Sequence, residues 1–190
     1  RNRSTGGTAL HAASVTGKPA ILSLLLEHRA ELEAQSRLGI TALGIAASCG
    51  RAAGVASLLA ARASIRHPTS NPLHIATMFG AGAAVVRALL EARAAVNGPL
   101  LLRPTIKGHA VMLAVGLTYQ LGQRGFFRAL CYHARSATPL MLAVMTGSMA
   151  EVEVLLEFRA DAAIRNARGA TALNLAWQFG TLEGNPLLRV

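Results

Sequence analysis

The stretch "NPLHIATMFGAGAAVVRALLEARA", residues 71–94, decides how this chain folds. Taken alone it suggests a dinucleotide-binding turn, because Gly80 and Gly82 precede an apolar, helix-like segment. Such a site also needs a strand before the turn and an acidic residue about twenty positions later, which binds the ribose. Leu102 stands at that later position, and the segment before the turn recurs elsewhere in the chain. We therefore expect no bound cofactor, and the glycines need another explanation.

The recurring element is a six-residue segment, here called the hexad. Its copies are TALHAA at Thr8, TALGIA at Thr41, NPLHIA at Asn71, TPLMLA at Thr138 and TALNLA at Thr171. The starts are 33, 30, 67 and 33 residues apart, so the long gap is about two periods. A degenerate hexad, HAVMLA, begins at His109 inside that gap. Self-similarity with this period indicates a repeat architecture.

Each hexad is followed by the same sequence of features. A glycine lies nine residues after every hexad start, at positions 17, 50, 80, 147 and 180. Four units continue with a leucine pair and then an Arg-Ala dipeptide, whose arginines are Arg29, Arg62, Arg93 and Arg159. Glycine accepts the left-handed conformation that ends a helix, and the leucines lie on one helix face. Each unit therefore predicts two short helices and a loop, and neighbouring units must bury each other's apolar faces.

This pattern resembles the ankyrin repeat in its period near 33, its T-P-L-H-x-A-like opening and its LLExxA-like ending. The resemblance implies an all-α dominated repeat solenoid of stacked helix-turn-helix units with short β-hairpin loops. We expect one domain, residues 1–190, with units starting near 8, 41, 71 and 138, a degenerate unit near 109 and a truncated unit near 171. The resemblance also implies that His11 and His74 bond backbone groups between repeats.

Three departures from the family pattern carry expectations. The four arginines stand where the family usually has glycine, so we expect them in a left-handed conformation. The unit at residues 97–137 is irregular, with its turn glycine expected at Gly122. Either the solenoid bends there or a decayed repeat still fills its slot in the stack; we favour the second and expect the hairpin before Thr138 to be almost absent. Both ends are expected to be open, because Gly6 corresponds to a hairpin tip and Val190 falls within a second helix.

Metal binding and catalysis have little support in the sequence. His109, Cys131 and His133 are the residue types that bind zinc, but their spacing matches no standard zinc pattern. Asp161 is the only aspartate in the chain, so paired carboxylates for acid–base catalysis are scarce. Three glutamates share one predicted helix, where we expect a solvated face: Glu151, Glu153 and Glu157. We therefore expect no metal and no enzyme activity.

Composition limits the class of protein. The chain has a formal net charge of +10 and is 52% hydrophobic, so a large core can form. No uncharged segment is both long and apolar enough to cross a bilayer, so we expect no membrane insertion of this segment. The two cysteines form no disulfide framework. We expect an intracellular protein, in the cytoplasm or alternatively in the nucleus.

A binding surface is the remaining functional candidate. In arrays of the resembled family the concave face consists of the hairpin tips and the ends of the first helices. The corresponding residues are Arg37, Leu38, Ile40, Met78, Phe79, Met145, Arg165, Arg168, Trp177, Gln178 and Phe179. Met, Trp, Phe and Arg are enriched where proteins grip partners, although the aromatic residues could equally pack against adjacent repeats. We expect a non-catalytic interaction module or scaffold that binds a partner protein, and the basic charge favours an acidic partner surface.

Nucleic-acid or acidic-surface binding through residues 99–137 is the alternative. Basic and aromatic residues alternate there without any acid, a mixture that can bind a phosphate backbone and stack bases. Against this alternative, the aromatic residues have the spacing of a helix core. The other arginines recur at one structural position rather than forming a stripe.

Overall fold

The computed structural model describes residues 1–2, 5–67, 71–100 and 133–181. Within these ranges the chain forms nine α-helices and no β-strand. The helices are α1 (Ala9–Thr16), α2 (Pro19–Glu27), α3 (Ala42–Ser48), α4 (Ala52–Ala60), α5 (Pro72–Phe79), α6 (Ala83–Glu91), α7 (Pro139–Thr146), α8 (Met149–Glu157) and α9 (Ala172–Gln178). The odd-numbered helices are first helices of a unit and the even-numbered ones are second helices. We name each repeat by the residue that starts its hexad.

The hexad starts each first helix because its leading residue is an N-cap. The Thr8 hydroxyl accepts a hydrogen bond from the backbone N–H of His11, and the Asn71 side chain accepts from that of Leu73. Such side-chain acceptors satisfy backbone donors that have no partner inside the helix. The glycine after the hexad ends the helix, as at Gly17, which has a φ of 65°. The hexad and the glycine that follows it therefore bound the first helix of a repeat.

Arginine occupies the left-handed position after each described second helix. The φ angles of Arg29, Arg62, Arg93 and Arg159 are 59°, 66°, 67° and 60°. A left-handed conformation costs a residue with a Cβ atom about 1–2 kcal/mol, so the chain carries this strain four times. The predicted conformation of the arginines is confirmed.

The repeats stack in two layers of helices. In the first layer α1 contacts α3, α3 contacts α5, α5 contacts α7 and α7 contacts α9. In the second layer α2 contacts α4, α4 contacts α6 and α6 contacts α8. The core between the layers includes the leucine at the third hexad position of four repeats, of which Leu10 and Leu73 are 1% and 0% exposed. This continuous core confirms the predicted solenoid.

The Asn71 and Thr138 repeats pack directly against each other. The Thr146 hydroxyl donates to the carbonyl of Thr77 at 3.3 Å, and the N–H of Asp161 donates to the Asn97 side chain at 2.8 Å. Because α5 contacts α7 and α6 contacts α8, these two repeats are direct neighbours in the stack. The expectation that a decayed repeat fills a slot there is therefore wrong. Whether the segment that starts at His109 forms helices of its own stays a prediction, because residues 101–132, with Gly122, lie outside the described residues.

The hairpin before Thr138 is assembled from both sides of this long insertion. The N–H of Leu100 donates to the carbonyl of Ala137 at 2.8 Å, and its carbonyl accepts from the N–H of Ser136 at 3.2 Å. Ser36 makes the equivalent two bonds in its own uninterrupted hairpin, at 3.0 and 2.9 Å. Ser136 has a φ of 59° where that regular hairpin has a glycine. The expectation of an almost absent hairpin is therefore wrong, since its two halves come from residues distant in sequence.

Neighbouring hairpins are tied to each other through their backbones. The N–H of Arg37 donates to the carbonyl of Thr5 at 2.9 Å, and the N–H of Ala167 donates to that of Arg135 at 3.1 Å. These short loops keep hairpin bonds, but no described residue has the ladder of a β-strand. The bonds hold adjacent loop tips in a fixed relation.

Candidate functional site

The tip of the hairpin before Thr41 presents three candidate residues. Arg37 is exposed, Leu38 is 38% exposed and Ile40 is half-buried. The Ser36 hydroxyl accepts a hydrogen bond from the N–H of Ile40 at 3.2 Å, which closes the turn. A positive and an apolar side chain thus stand side by side on an ordered loop.

The hairpin before Thr171 is ordered by Asn166, a tip residue that the sequence pattern places beside the contact candidates but not among them. Asn166 is 5% exposed, and its side-chain amide donates to the carbonyl of His133 at 3.1 Å. Its side-chain oxygen accepts from the N–H groups of Arg168 and Ala170, both at 3.0 Å. Asparagine commonly bonds backbone two residues on, which was the available signal. Asn166 thereby fixes the exposed candidate Arg168, and the exposed Arg165 donates to the carbonyl of Gly169 at 2.8 Å.

The ends of the first helices hold four further candidates. Met78 and Phe79 are half-buried at the end of α5, and Met78 also packs on the core. Gln178 is exposed at the end of α9. The ring of the half-buried Phe179 meets the ring of His133 edge-on, with centroids 6.2 Å apart. Met78, Phe79 and Phe179 are therefore each partly buried against the repeats and partly exposed to solvent.

Met145 is a core residue. It is 2% exposed and lies in α7, where residues 139–145 are all buried. A long, flexible apolar side chain readily fills an irregular gap between helices. Met145 is not accessible to a partner, so its inclusion in the binding surface is corrected.

Trp177 lies on α9, the last helix that the structure describes. At the same position in the other repeats, Ser14, Ala47, Thr77 and Val144 are each 0% exposed because adjacent repeats cover them. Trp177 is 67% exposed. Trp177 therefore differs from the buried residues at this position in the other repeats.

The hexad histidines have structural roles. The ring Nε2 of His11 lies 2.9 Å from the carbonyl of Ile40 in the next repeat, and that of His74 lies 2.8 Å from the carbonyl of Gly98. Burial lowers the pKa of His74 to about 4, against the effect of its backbone hydrogen bonds. His74 is therefore neutral at pH 7. The bond from His11 confirms the inter-repeat role that the resemblance implied.

Glu151 corrects the expectation of a solvated glutamate face. Glu153 and Glu157 are exposed, but Glu151 is 0% exposed and accepts a 2.6 Å hydrogen bond from the N–H of Gly82. Burial raises the pKa of Glu151 to about 7, although the bonds from Gly82 and Ser148 act in the opposite direction. The glycine that first suggested a phosphate site thus binds a carboxylate of this chain.

Three further candidate features concern metal binding, nucleic-acid binding and membrane insertion. No group of three or more His, Cys, Asp or Glu residues lies there in a position to hold a metal ion. His133 is buried, whereas His109 and Cys131 lie outside the described residues. Most of residues 99–137, proposed as the alternative nucleic-acid site, also lie outside them, and Arg135 is exposed. None of the helices that the structure describes is long and apolar enough to cross a membrane.

Comparison with protein families agrees with this geometry. Residues 1–69 match the family profile described as Ankyrin repeats (3 copies), and residues 136–167 match the one described as Ankyrin repeat. No curated protein matches the chain. Ankyrin repeats are generally protein–protein interaction modules, and proteins made of them are typically non-catalytic. With profile matches over more than half of its length and the stacked two-helix units described above, the chain belongs to the ankyrin repeat family.

Proposed function

We propose that the chain is a non-catalytic interaction module, or scaffold, that binds a partner protein on the concave face of one repeat domain spanning residues 1–190. The proposed contact residues lie at hairpin tips and first-helix ends: Arg37, Leu38, Ile40, Met78, Phe79, Arg165, Arg168, Gln178 and Phe179. Trp177, which is 67% exposed on α9, is a further proposed contact residue. The single observation that supports this proposal best is the row of ordered hairpin tips.

The ordered tips favour binding because little freedom is lost when a partner docks. Backbone bonds between neighbouring hairpins already hold Arg37 against Thr5 and Ala167 against Arg135. Association otherwise has to offset the entropy of ordering loops and side chains. Leu38 supplies an exposed apolar contact beside the charge of Arg37, which suits the mixed composition of protein interfaces.

The partner's surface would be acidic, in keeping with the net charge of +10. The protein would act inside the cell, in the cytoplasm or the nucleus, where a thiol such as Cys49 remains reduced. An enzyme function has no catalytic constellation to support it in the described part of the chain.

The experiment begins with capture of a partner on the immobilised 190-residue chain. Calorimetry then measures the affinity of the purified partner for the wild type and for the double variant Arg37→Ala/Leu38→Ala. Ile21→Ala/Leu24→Ala is the matched control, because these side chains are 43% and 54% exposed on α2, away from the tips. We expect Arg37→Ala/Leu38→Ala to lower the affinity for the partner at least about tenfold and the control to lower it less than about twofold. Equal losses, or a larger loss in the control, would contradict the proposed face.

A further inference from the structure

Acidic residues are excluded from one face of the described structure. Every described Asp and Glu lies on α2, α6 or α8, or in the loops that directly follow second helices, at residues 31, 33 and 161. The first helices contain none, and neither do the hairpin turns at residues 36–39, 134–137 and 166–169. We call the first helices together with these turns the tip face.

The tip face carries positive charge. Arg37, Arg135 and Arg168 are exposed on three of its turns. Burial is the main cause that lowers the pKa of the nearby His133, and the positive charge of Arg168 lowers it further. The opposite side is mixed, because Arg87 pairs there with Glu157 at 2.6 Å. The tip face is therefore distinguished by exposed arginines without acidic residues, whereas the more numerous basic residues elsewhere lie among acidic ones.

The spacing of these arginines suits an extended chain. Packed helices lie about 8–10 Å apart, so successive hairpins are separated by about the same distance. Arg37 and Arg135 are two repeats apart in the stack and Arg168 is one repeat further, which gives a span of about 30 Å. An extended polypeptide advances about 3.3 Å per residue, so about nine residues would cover the row.

We propose, on the basis of the function proposed above, that the tip face binds an extended acidic polypeptide segment whose carboxylates pair with Arg37, Arg135 and Arg168. Arginine presents a planar fork of donors that matches a carboxylate with two parallel hydrogen bonds. An open depression lined by Arg1, Asn2, Gly6, Gln35, Ser36 and Arg37 lies beside the first of these turns. Single-stranded nucleic acid fits less well, because it stacks its bases on aromatic platforms and the three turns that carry these arginines have none. The aromatic residues of the tip face, Phe79 and Trp177, lie on its first helices.

The test uses a fluorescein-labelled peptide of ten residues in which Glu and Ala alternate. Fluorescence anisotropy measures its binding to the 190-residue chain at 50 and 300 mM NaCl. The triple variant Arg37→Gln/Arg135→Gln/Arg168→Gln removes the row. The control Arg29→Gln/Arg93→Gln/Arg159→Gln removes the same charge at exposed positions after the second helices. Melting temperatures establish that both variants remain folded.

We expect the row variant to lose at least about tenfold in affinity and the control less than about twofold, with weaker binding of the wild type at high salt. Equal losses in the two variants would show attraction to net charge alone and would overturn the proposal. So would absence of peptide binding at 50 mM NaCl, or tighter binding of a ten-nucleotide single-stranded DNA through the same arginines. If the peptide fails while a captured partner still depends on Arg37 and Leu38, the proposed function stands and this inference fails.

Discussion

The backbone N–H of Gly82 donates a 2.6 Å hydrogen bond to the buried carboxylate of Glu151, and this bond joins two repeats across 69 residues of sequence. Gly82 is the extra residue in the turn between α5 and α6, and its φ of 96° is readily available to glycine. At the position of Glu151, the Thr41 and Asn71 repeats have the buried residues Gly54 and Val85. A titratable group therefore lies in an interface that is otherwise built from apolar and small residues.

Glu151 makes stability depend on pH near neutrality. Its pKa is raised from 4.5 to about 7 in the folded state, so the folded state holds the proton more tightly than the unfolded state. Its contribution to stability is fully present below pH 4.5 and is lost as the pH rises through 7. The loss is on the order of 3 kcal/mol. Glu151→Gln should abolish this part of the pH dependence and be more stable than the wild type at pH 8, as measured by urea unfolding at pH 5 and pH 8.

The comparison with Glu151→Gln separates this effect from that of His74, whose lowered pKa acts in the opposite sense. Stability from His74 is lost as the pH falls from 6.5 towards 4, equally in wild type and variant. Other titratable or charged groups lie on the described helices around Glu151. On α6 and α8 these are Arg87, Glu91, Glu153 and Glu157. The helix α5 has only His74, and α7 has none. The exposed Glu153→Gln is the control and should keep the wild-type profile. An unchanged profile in Glu151→Gln would contradict the assignment.

Arg62→Gly should stabilise the protein. Arg62 has a φ of 66° and its side chain is exposed, so glycine relieves strain without removing a packed group. We expect a gain of up to about 1 kcal/mol, since relief of about 1–2 kcal/mol is partly offset by the greater freedom of glycine in the unfolded chain. Arg62→Ala is the control, because alanine keeps the Cβ atom and the strain. A lower melting temperature for Arg62→Gly would count against this backbone assignment.

Gly54→Ala should destabilise the protein even though alanine favours helices. A Cβ atom at Gly54 in α4 would lie 2.8 Å from the Cα atom of Gly17, so the Thr8 and Thr41 repeats would have to separate. Overpacking of this kind costs about 1–3 kcal/mol. Gly→Ala in a free helix would instead gain about 1 kcal/mol. Urea unfolding measures whether the free energy of unfolding of Gly54→Ala is lower or higher than that of the wild type. A stabilised variant would show that the repeats are less closely packed.

Deletion of residues 101–132 should leave the stack intact. Leu100 and Ala137 are already joined by a hydrogen bond, and the deletion shortens the interval from Asn71 to Thr138 from 67 residues to about the period of an ankyrin repeat. Closing a shorter loop costs less entropy, so we expect the free energy of unfolding to change by less than about 2 kcal/mol. Circular dichroism and urea unfolding measure helicity and cooperativity. A deletion variant that fails to fold would mean that the removed segment supports the repeats on either side.

The features that the sequence predicts correctly are local ones. Turn glycines such as Gly17 and the strained Arg62 act within a few residues, so one repeat is enough to identify them. The burial of Glu151 and Met145 depends on which repeats become neighbours. That choice was obscured by the insertion after Leu100, whose length is close to one repeat period. The spacing of the hexads therefore predicts one repeat too many in the stack, and only the contacts between helices show that the Asn71 and Thr138 repeats are neighbours.

We propose that partners dock on hairpin tips and first-helix ends. Hydrogen–deuterium exchange of the 190-residue chain, with and without its captured partner, measures which segments become protected on binding. We predict slower exchange on binding in the turns at residues 36–39 and 166–169 and at residues 78–79, with little change in α2, α4, α6 and α8. Slower exchange confined to those second helices, with unchanged tips, would contradict the account.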